Sequence, residues 1–228
     1  MVPEGEAGRR PWVVLNFAMS ADGKMALATG AALDISCSED LMRVHQLRAS
    51  VDAILVGVGT IVADDPKLYV NPSRVPDPPA LTKIVLDASG RTPPDARFLS
   101  TPGRSVVATV EGTASALRER LGDRATVLPC GQGPLVDLPQ LMDGLVGMGV
   151  GRLMVEGGGE TLWGFVSQGL FDEYSVYIGP IIVGGDTAPT PCRGPGVTDA
   201  SLVVPLEMVS AERLGEGLWV RYRAVRPR

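Results

Sequence analysis

Two places where a short apolar run breaks into glycines constrain this chain more than any other feature. In the first, Ala53-Ile54-Leu55-Val56 runs into Gly57-Val58-Gly59-Thr60. In the second, Leu153-Met154-Val155-Glu156 runs into Gly157-Gly158-Gly159-Glu160-Thr161. A short, wholly apolar run rich in branched residues is a strand buried on both faces, the habit of parallel sheets. Glycines at its end are entropically costly, but they let backbone N–H groups approach a ligand with no Cβ in the way. Thr60 places a hydroxyl at the start of a short helix, which the pair Asp64-Asp65 and then Pro66 bring to a stop. The second junction opens a helical pattern through Leu162, Trp163, Phe165, Val166 and Leu170. Strand, glycines and helix N-terminus make a seat for phosphate. Two such seats point to a dinucleotide-like ligand spanning neighbouring strand ends.

The rest of the chain alternates strand and helix. Trp12 to Met19 is a first, central strand, ending in the polar turn Ser20-Ala21-Asp22-Gly23-Lys24. Ser20 and Asp22 suit either a hairpin turn or the wall of a substrate pocket. Ser38 is placed as the N-cap of a helix to about Ala49, with Leu41, Val44 and Leu47 as its apolar face. Tyr69 to Leu81, rich in proline, is a loop of the length that lids and binding loops have. Strands follow at Lys83–Asp87, Ser105–Thr109 and Ala125–Leu128. Helices follow at Thr113–Leu121, capped by Thr113, and at Leu138–Met148. The pattern then turns to strands alone: Glu173–Val183, Leu202–Arg213 and Leu218–Val225, the last two joined by the hairpin signal Gly215-Glu216-Gly217. The expected architecture is α/β, three-layered, with a mostly parallel mixed sheet closed by C-terminal antiparallel strands. Residues 1–10 are expected to be a loose tail and 11–228 a single domain.

Composition excludes several functions. A net charge of −5 leaves no basic surplus to displace the counterions of a nucleic acid. The N-terminal residues carry acids and no apolar core, and no apolar run approaches the ~20 residues that cross a bilayer. The three cysteines are widely spaced and there is one histidine, so no metal is expected, and the thiols are expected to be reduced in a cytoplasmic protein.

The motifs Ser20-Ala21-Asp22-Gly23-Lys24, Arg43-Val44-His45-Gln46-Leu47-Arg48-Ala49, Gly57-Val58-Gly59-Thr60 with Ala63-Asp64-Asp65-Pro66, and Val155-Glu156-Gly157-Gly158-Gly159 occur in that order. Together they resemble the riboflavin-pathway pyrimidine reductases, which have a dihydrofolate-reductase-like fold, over about residues 12 to 225. The stand-alone form is most similar to the archaeal type. The resemblance implies a homodimer that reduces 2,5-diamino-6-ribosylamino-4(3H)-pyrimidinone 5′-phosphate with NADPH to the ribitylamino product. It implies that Thr60 and Asp64 bind the cofactor and that Gly158, Gly159, Glu160 and Thr161 wrap its pyrophosphate. Ser89 would meet the adenosine end, with Arg91 beside the 2′-phosphate. Arg48, Leu68 and Glu156 would face the substrate. Asp64 and Glu156 are the candidates for the proton donor, as partly buried carboxyl groups, and Glu156 also for hydrogen bonding to the pyrimidine amino groups.

Two positions depart from the family pattern. Asn71 stands where the family has a phosphate-binding arginine, with Arg74 as a substitute, and Asn16 where bacterial members often have lysine. Other readings are a same-fold reductase of 5-amino-6-(5-phosphoribosylamino)uracil or of a pterin, and a non-catalytic NADP-binding protein.

Overall fold

The computed structural model describes residues 10–225; the expected tail, apart from Arg10, lies outside them. Nine strands and five α-helices lie among the described residues. In chain order they are β1 (Trp12–Ser20), α1 (Ser38–Ala49), β2 (Ala53–Gly57), α2 (Val58–Asp64), β3 (Thr82–Leu86), β4 (Ser105–Thr109) and α3 (Glu111–Leu121). Then come β5 (Thr126–Pro129), α4 (Leu138–Gly147), β6 (Arg152–Val155), α5 (Gly159–Ser167), β7 (Glu173–Gly179), β8 (Leu206–Leu214) and β9 (Gly217–Ala224).

The chain forms two compact units. The first takes in the described residues up to Val13 together with Arg48–Met154. Its strands run in the order β5-β4-β3-β2-β6, and β2, β3, β4 and β5 pair in parallel. Ala53, Ile54, Leu55 and Val56 are all buried, as a two-sided strand requires. One core joins Ile54 and Val56 to Ile61 of α2, Leu68, Val85, Phe98, Val107, and Ala114, Leu117 and Leu121 of α3. The strands that lead into the two glycine junctions, β2 and β6, are neighbours. The Asp52 carboxylate joins their starts by accepting from the N–H groups of Gly151 and Arg152 at 2.9 and 2.8 Å.

The second unit takes in Val14–Leu47 and the described residues from Val155 on. Its order is β1-β7-β9-β8: β1 and β7 are parallel, whereas β9 runs antiparallel to both β7 and β8. Gly215, with φ of 58°, takes the first central position of the two-residue turn between β8 and β9, where such hairpins want glycine.

Several expected boundaries move for local reasons. α3 begins at Glu111, so Thr113 lies inside it, and its hydroxyl turns back on the Val110 carbonyl at 3.2 Å. β7 stops at Gly179 because Pro180 has no N–H for a ladder. β8 starts at Leu206, after Pro205, and the preceding Ala200–Leu202 is a 3-10 turn capped by Asp199. Ser38 is the first residue of α1 rather than its cap, and the Leu41 N–H is taken by the Cys37 carbonyl. The apolar face expected for α1 turns inward only in part, with Val44 and Leu47 half-buried. Leu41 is 41% exposed, while Asp40 and Arg43 are buried. Both faces share the same helical spacing, and pairing of the two charges is what lets the polar one go inward.

Candidate active site

In the first unit, α2 follows Gly57, whose extended backbone caps it without a side-chain hydrogen bond. Thr60 is its third residue and half-buried, and a Cβ at Gly59 would meet nothing within 4 Å. The helix ends at Asp64, and Asp65 follows in the left-handed region with φ of 41°. The two carboxylates divide their work. Asp65 Oδ1 accepts the Arg97 N–H at 2.8 Å, whereas Asp64 is exposed rather than partly buried. It is the last residue of α2, two before Pro66, and Val62 of the same helix is 55% exposed.

Leu68 is 1% exposed, with φ of 47°. Its side chain belongs to the core, so what it can offer a ligand is backbone. Arg48 Nη1 donates to the Tyr69 carbonyl at 3.0 Å, which brings Arg48 to the same loop. The Asn71 Oδ1 accepts the Ser73 N–H at 3.0 Å, and the Asn71 carbonyl accepts from Arg74 and Val75. Asn71 therefore builds an Asx turn, which a guanidinium, having no acceptor, could not build.

At the end of β3, buried Asp87 accepts from the backbone of Arg91 and Thr92 at 2.9 and 2.7 Å and from the Thr92 hydroxyl at 2.7 Å. Ser89 is exposed on this turn. Its hydroxyl donates to Asp87 at 3.2 Å and accepts from Arg91 Nε at 2.9 Å, so Ser89 and Arg91 are held together. Arg120 Nη2 also donates to the Gly90 carbonyl.

In the second unit, α5 starts after Gly158, again with no side-chain cap. Its first-turn N–H groups are the ones a helix leaves without internal partners. The three glycines differ. A Cβ at Gly157 would crowd Thr161 at 3.2 Å, and one at Gly158 would meet nothing within 4 Å. One at Gly159 would run into the Thr190 carbonyl and come within 2.7 Å of Arg193 Cβ. Glu160 is exposed; Thr161 and Glu156 are half-buried. Arg193, in the loop against Gly159, carries no spacing signal that sequence reading could have used.

Ser20 and Asp22 are brought together: the Ser20 hydroxyl donates to Asp22 Oδ1 at 2.6 Å and accepts the Lys24 N–H at 2.8 Å. The Asp22 carboxylate also accepts the N–H groups of Val183 and Gly184 at 3.1 and 2.7 Å. Led by the Ser20 hydroxyl, these donors hold its carboxyl down at about 2. In this arrangement the pair tethers two loops.

Behind that turn lies a buried polar network. Arg43 Nε donates to Asp40 Oδ1 at 2.8 Å and Nη1 to Asn16 Oδ1 at 2.8 Å. Nη2 lies 2.8 Å from the same Asp40 oxygen, as an ion-pair contact and not an aligned hydrogen bond. Ser36 donates to Asp40 Oδ2 at 2.6 Å, Trp219 Nε1 to Ser175 Oγ at 2.9 Å, and the guanidinium stacks 5.0 Å from the Trp219 ring. Asn16, 4% exposed, is thus an interior partner of Arg43. Among the described residues no group of His, Cys, Asp and Glu is arranged to hold a metal ion, and no helix is long and apolar enough to cross a membrane.

The fold is the dihydrofolate-reductase-like α/β fold of solved riboflavin-pathway reductases. The Thermotoga maritima deaminase/5-amino-6-(5-phosphoribosylamino)uracil reductase superposes with a TM-score of 0.79 at 22% identity, covering 95% of this chain and 57% of that one. The Saccharomyces cerevisiae riboflavin biosynthesis reductase superposes with a TM-score of 0.75 at 22% identity, covering 97% and 93%. The chain belongs to the RibD C-terminal domain family, whose model matches residues 11–220. It is 42% identical over 215 residues to a Methanothermobacter thermautotrophicus protein, covering 93% of this chain and 98% of that one. It is 38% identical over 221 residues to an Archaeoglobus fulgidus protein, covering 94% and 98%. Both relatives are named 2,5-diamino-6-ribosylamino-4(3H)-pyrimidinone 5′-phosphate reductase.

Proposed function

We propose that this chain reduces 2,5-diamino-6-ribosylamino-4(3H)-pyrimidinone 5′-phosphate to its ribitylamino form, with NADPH, in riboflavin biosynthesis. The observation that carries this reading is the near full-length identity to two archaeal proteins of that name. The residues present fit a nucleotide cofactor: the exposed Gly158 opens onto free space beside the uncapped start of α5. Gly158, Gly159, Glu160 and Thr161 would hold the pyrophosphate, Thr60 and Asp64 the nicotinamide half, and Ser89 the adenosine end. Arg91, held by Ser89, supplies the cation that a 2′-phosphate calls for.

When bound, the reduced nicotinamide supplies the hydride that converts the imine of the opened ribosylamine, at C1′, to an amine. The chain's own part is to bind, align and manage one proton. The Leu68 backbone and Arg48 face the substrate. Arg48 and Arg74 stand for the phosphate arginine that Asn71 replaces. Glu156 reads the pyrimidine amino groups, and the exposed Asp64 exchanges the proton for the amine nitrogen through water. Ser20 and Asp22 act at the substrate pocket wall by fixing the 20–24 turn.

Residues 11–228 work as one reductase domain, as the single family model over 11–220 supports. The protein acts in the cytoplasm, where its three free cysteines stay reduced. It acts as a homodimer: the edge strand β8 has no buried residue, and Leu206, Met208 and Val209 stand exposed on it. Pairing of β8 with a second copy about Ser210 sets Glu207 opposite Arg213 in both directions.

A substrate panel tests this reading. The diaminopyrimidinone, 5-amino-6-(5-phosphoribosylamino)uracil and a dihydropterin are each offered with NADPH and with NADH. The first substrate with NADPH is expected to lead in kcat/KM by at least about tenfold on each axis. Preference for the uracil or the pterin would overturn the substrate assignment.

A further inference from the structure

Lys83, on β3, is fully buried. An ammonium in such a place is costly unless its protons are taken up. Here all three are: Nζ donates to the Phe98 carbonyl at 2.8 Å, the Thr101 carbonyl at 2.6 Å and the Thr101 hydroxyl at 3.0 Å. These acceptors are neutral oxygens of the 3-10 turn Arg97–Ser100 and of the residue that closes it. Its neighbours on the strand, Ile84 and Val85, are fully buried apolar residues, and packing alone would be served by another.

The turn that Lys83 grips holds the segment carrying Asp64 and Leu68. The Arg97 N–H donates to Asp65 Oδ1 at 2.8 Å, and the Thr101 hydroxyl lies 3.0 Å from the Lys67 carbonyl and 2.9 Å from that of Phe98. A hydroxyl that accepts from Lys83 must turn its single proton to one of those two carbonyls. The segment so held is strained: Asp65 and Leu68, neither a glycine, have φ of 41° and 47°. Such residues persist only where the surroundings over-determine them.

We propose that Lys83 is a positioning residue. Acting through Thr101, its ammonium holds the Asp65–Leu68 turn in the strained form that presents its backbone to the substrate. This rests on the reading of Leu68 as substrate-facing. Burial lowers the Lys83 ammonium to about 8, so it is still protonated at neutral pH.

The test uses Lys83→Met, which keeps the length and removes the donors. Thr101→Val is the second variant; it removes the hydroxyl that stands between Lys83 and the Lys67 and Phe98 carbonyls and leaves Lys83 its two carbonyls. Amide exchange across 67–70 is expected to quicken by about tenfold relative to α3 in both variants. KM for the pyrimidine is expected to rise about fivefold, with kcat within about twofold. Should Lys83→Met not fold, Thr101→Val alone decides. Unchanged exchange, or faster exchange with KM unmoved, overturns the proposal. Failure of the functional reading shows separately, as no turnover by the unsubstituted chain, and the exchange measurement then decides whether Lys83 holds the turn.

Discussion

Arg43→Met is expected to lower the free energy of unfolding by about 3–5 kcal/mol, the cost of leaving one partner of a buried ion pair alone. Asp40 is fully buried, and Arg43 is its cation at 2.8 Å. Without the guanidinium, Asp40 keeps the Ser36 hydroxyl, and Asn16 Oδ1 loses its 2.8 Å donor. Methionine retains most of the apolar volume against Trp219, so the loss reports charge and hydrogen bonding and not a cavity. Urea unfolding of the single variant, of Asp40→Leu, and of the pair closes a double-mutant cycle. The pair is expected to regain most of what the single variants lose, because an apolar pair of similar volume can replace a buried ion pair at little cost. A loss below about 1 kcal/mol for Arg43→Met would mean that the pair is hydrated in solution.

The second large effect separates two neighbouring glycines. Gly158→Ala is expected to leave the thermal midpoint of the free protein in place and to weaken NADPH binding by at least about tenfold, which is about 1.4 kcal/mol. The methyl group would enter the open space beside the first turn of α5, where nothing of the protein lies within 4 Å. Gly159→Ala is expected to destabilise the free protein, since its methyl meets the Thr190 carbonyl and Arg193. Calorimetric titration with NADPH and thermal unfolding without it distinguish the two. Undiminished binding by Gly158→Ala would remove the pyrophosphate from this junction.

The order of strands and helices was legible because hydrophobic runs of four to nine residues and glycine punctuation mark it locally. Residues 53–56 of β2 and 153–155 of β6 are buried as their composition demands. The hairpin at Gly215 follows from its turn chemistry. What could not be read was pairing across distance. Nothing local in Asp40 or Arg43 says that the two go inward while Leu41 faces out. Nothing local in Lys83 says that it reaches Phe98 and Thr101. At the candidate site, the glycines announce themselves through their backbone cost. The exposure of Asp64 and the burial of the Leu68 side chain depend on where α2 stops, and that is set jointly by Pro66 and by the Asp65 bond to Arg97. The Asn71 departure becomes intelligible only as an Asx turn.

The most direct measurement follows the hydride. The ribosylaminopyrimidinone phosphate is incubated with the protein and NADPH carrying deuterium at the transferable nicotinamide position, and the product is analysed by NMR and mass spectrometry. One deuteron at C1′ of a ribitylamino product, with stoichiometric oxidation of the cofactor, is the predicted result. Cofactor binding with no oxidation, or deuterium on the pyrimidine ring instead of the sugar carbon, would contradict it.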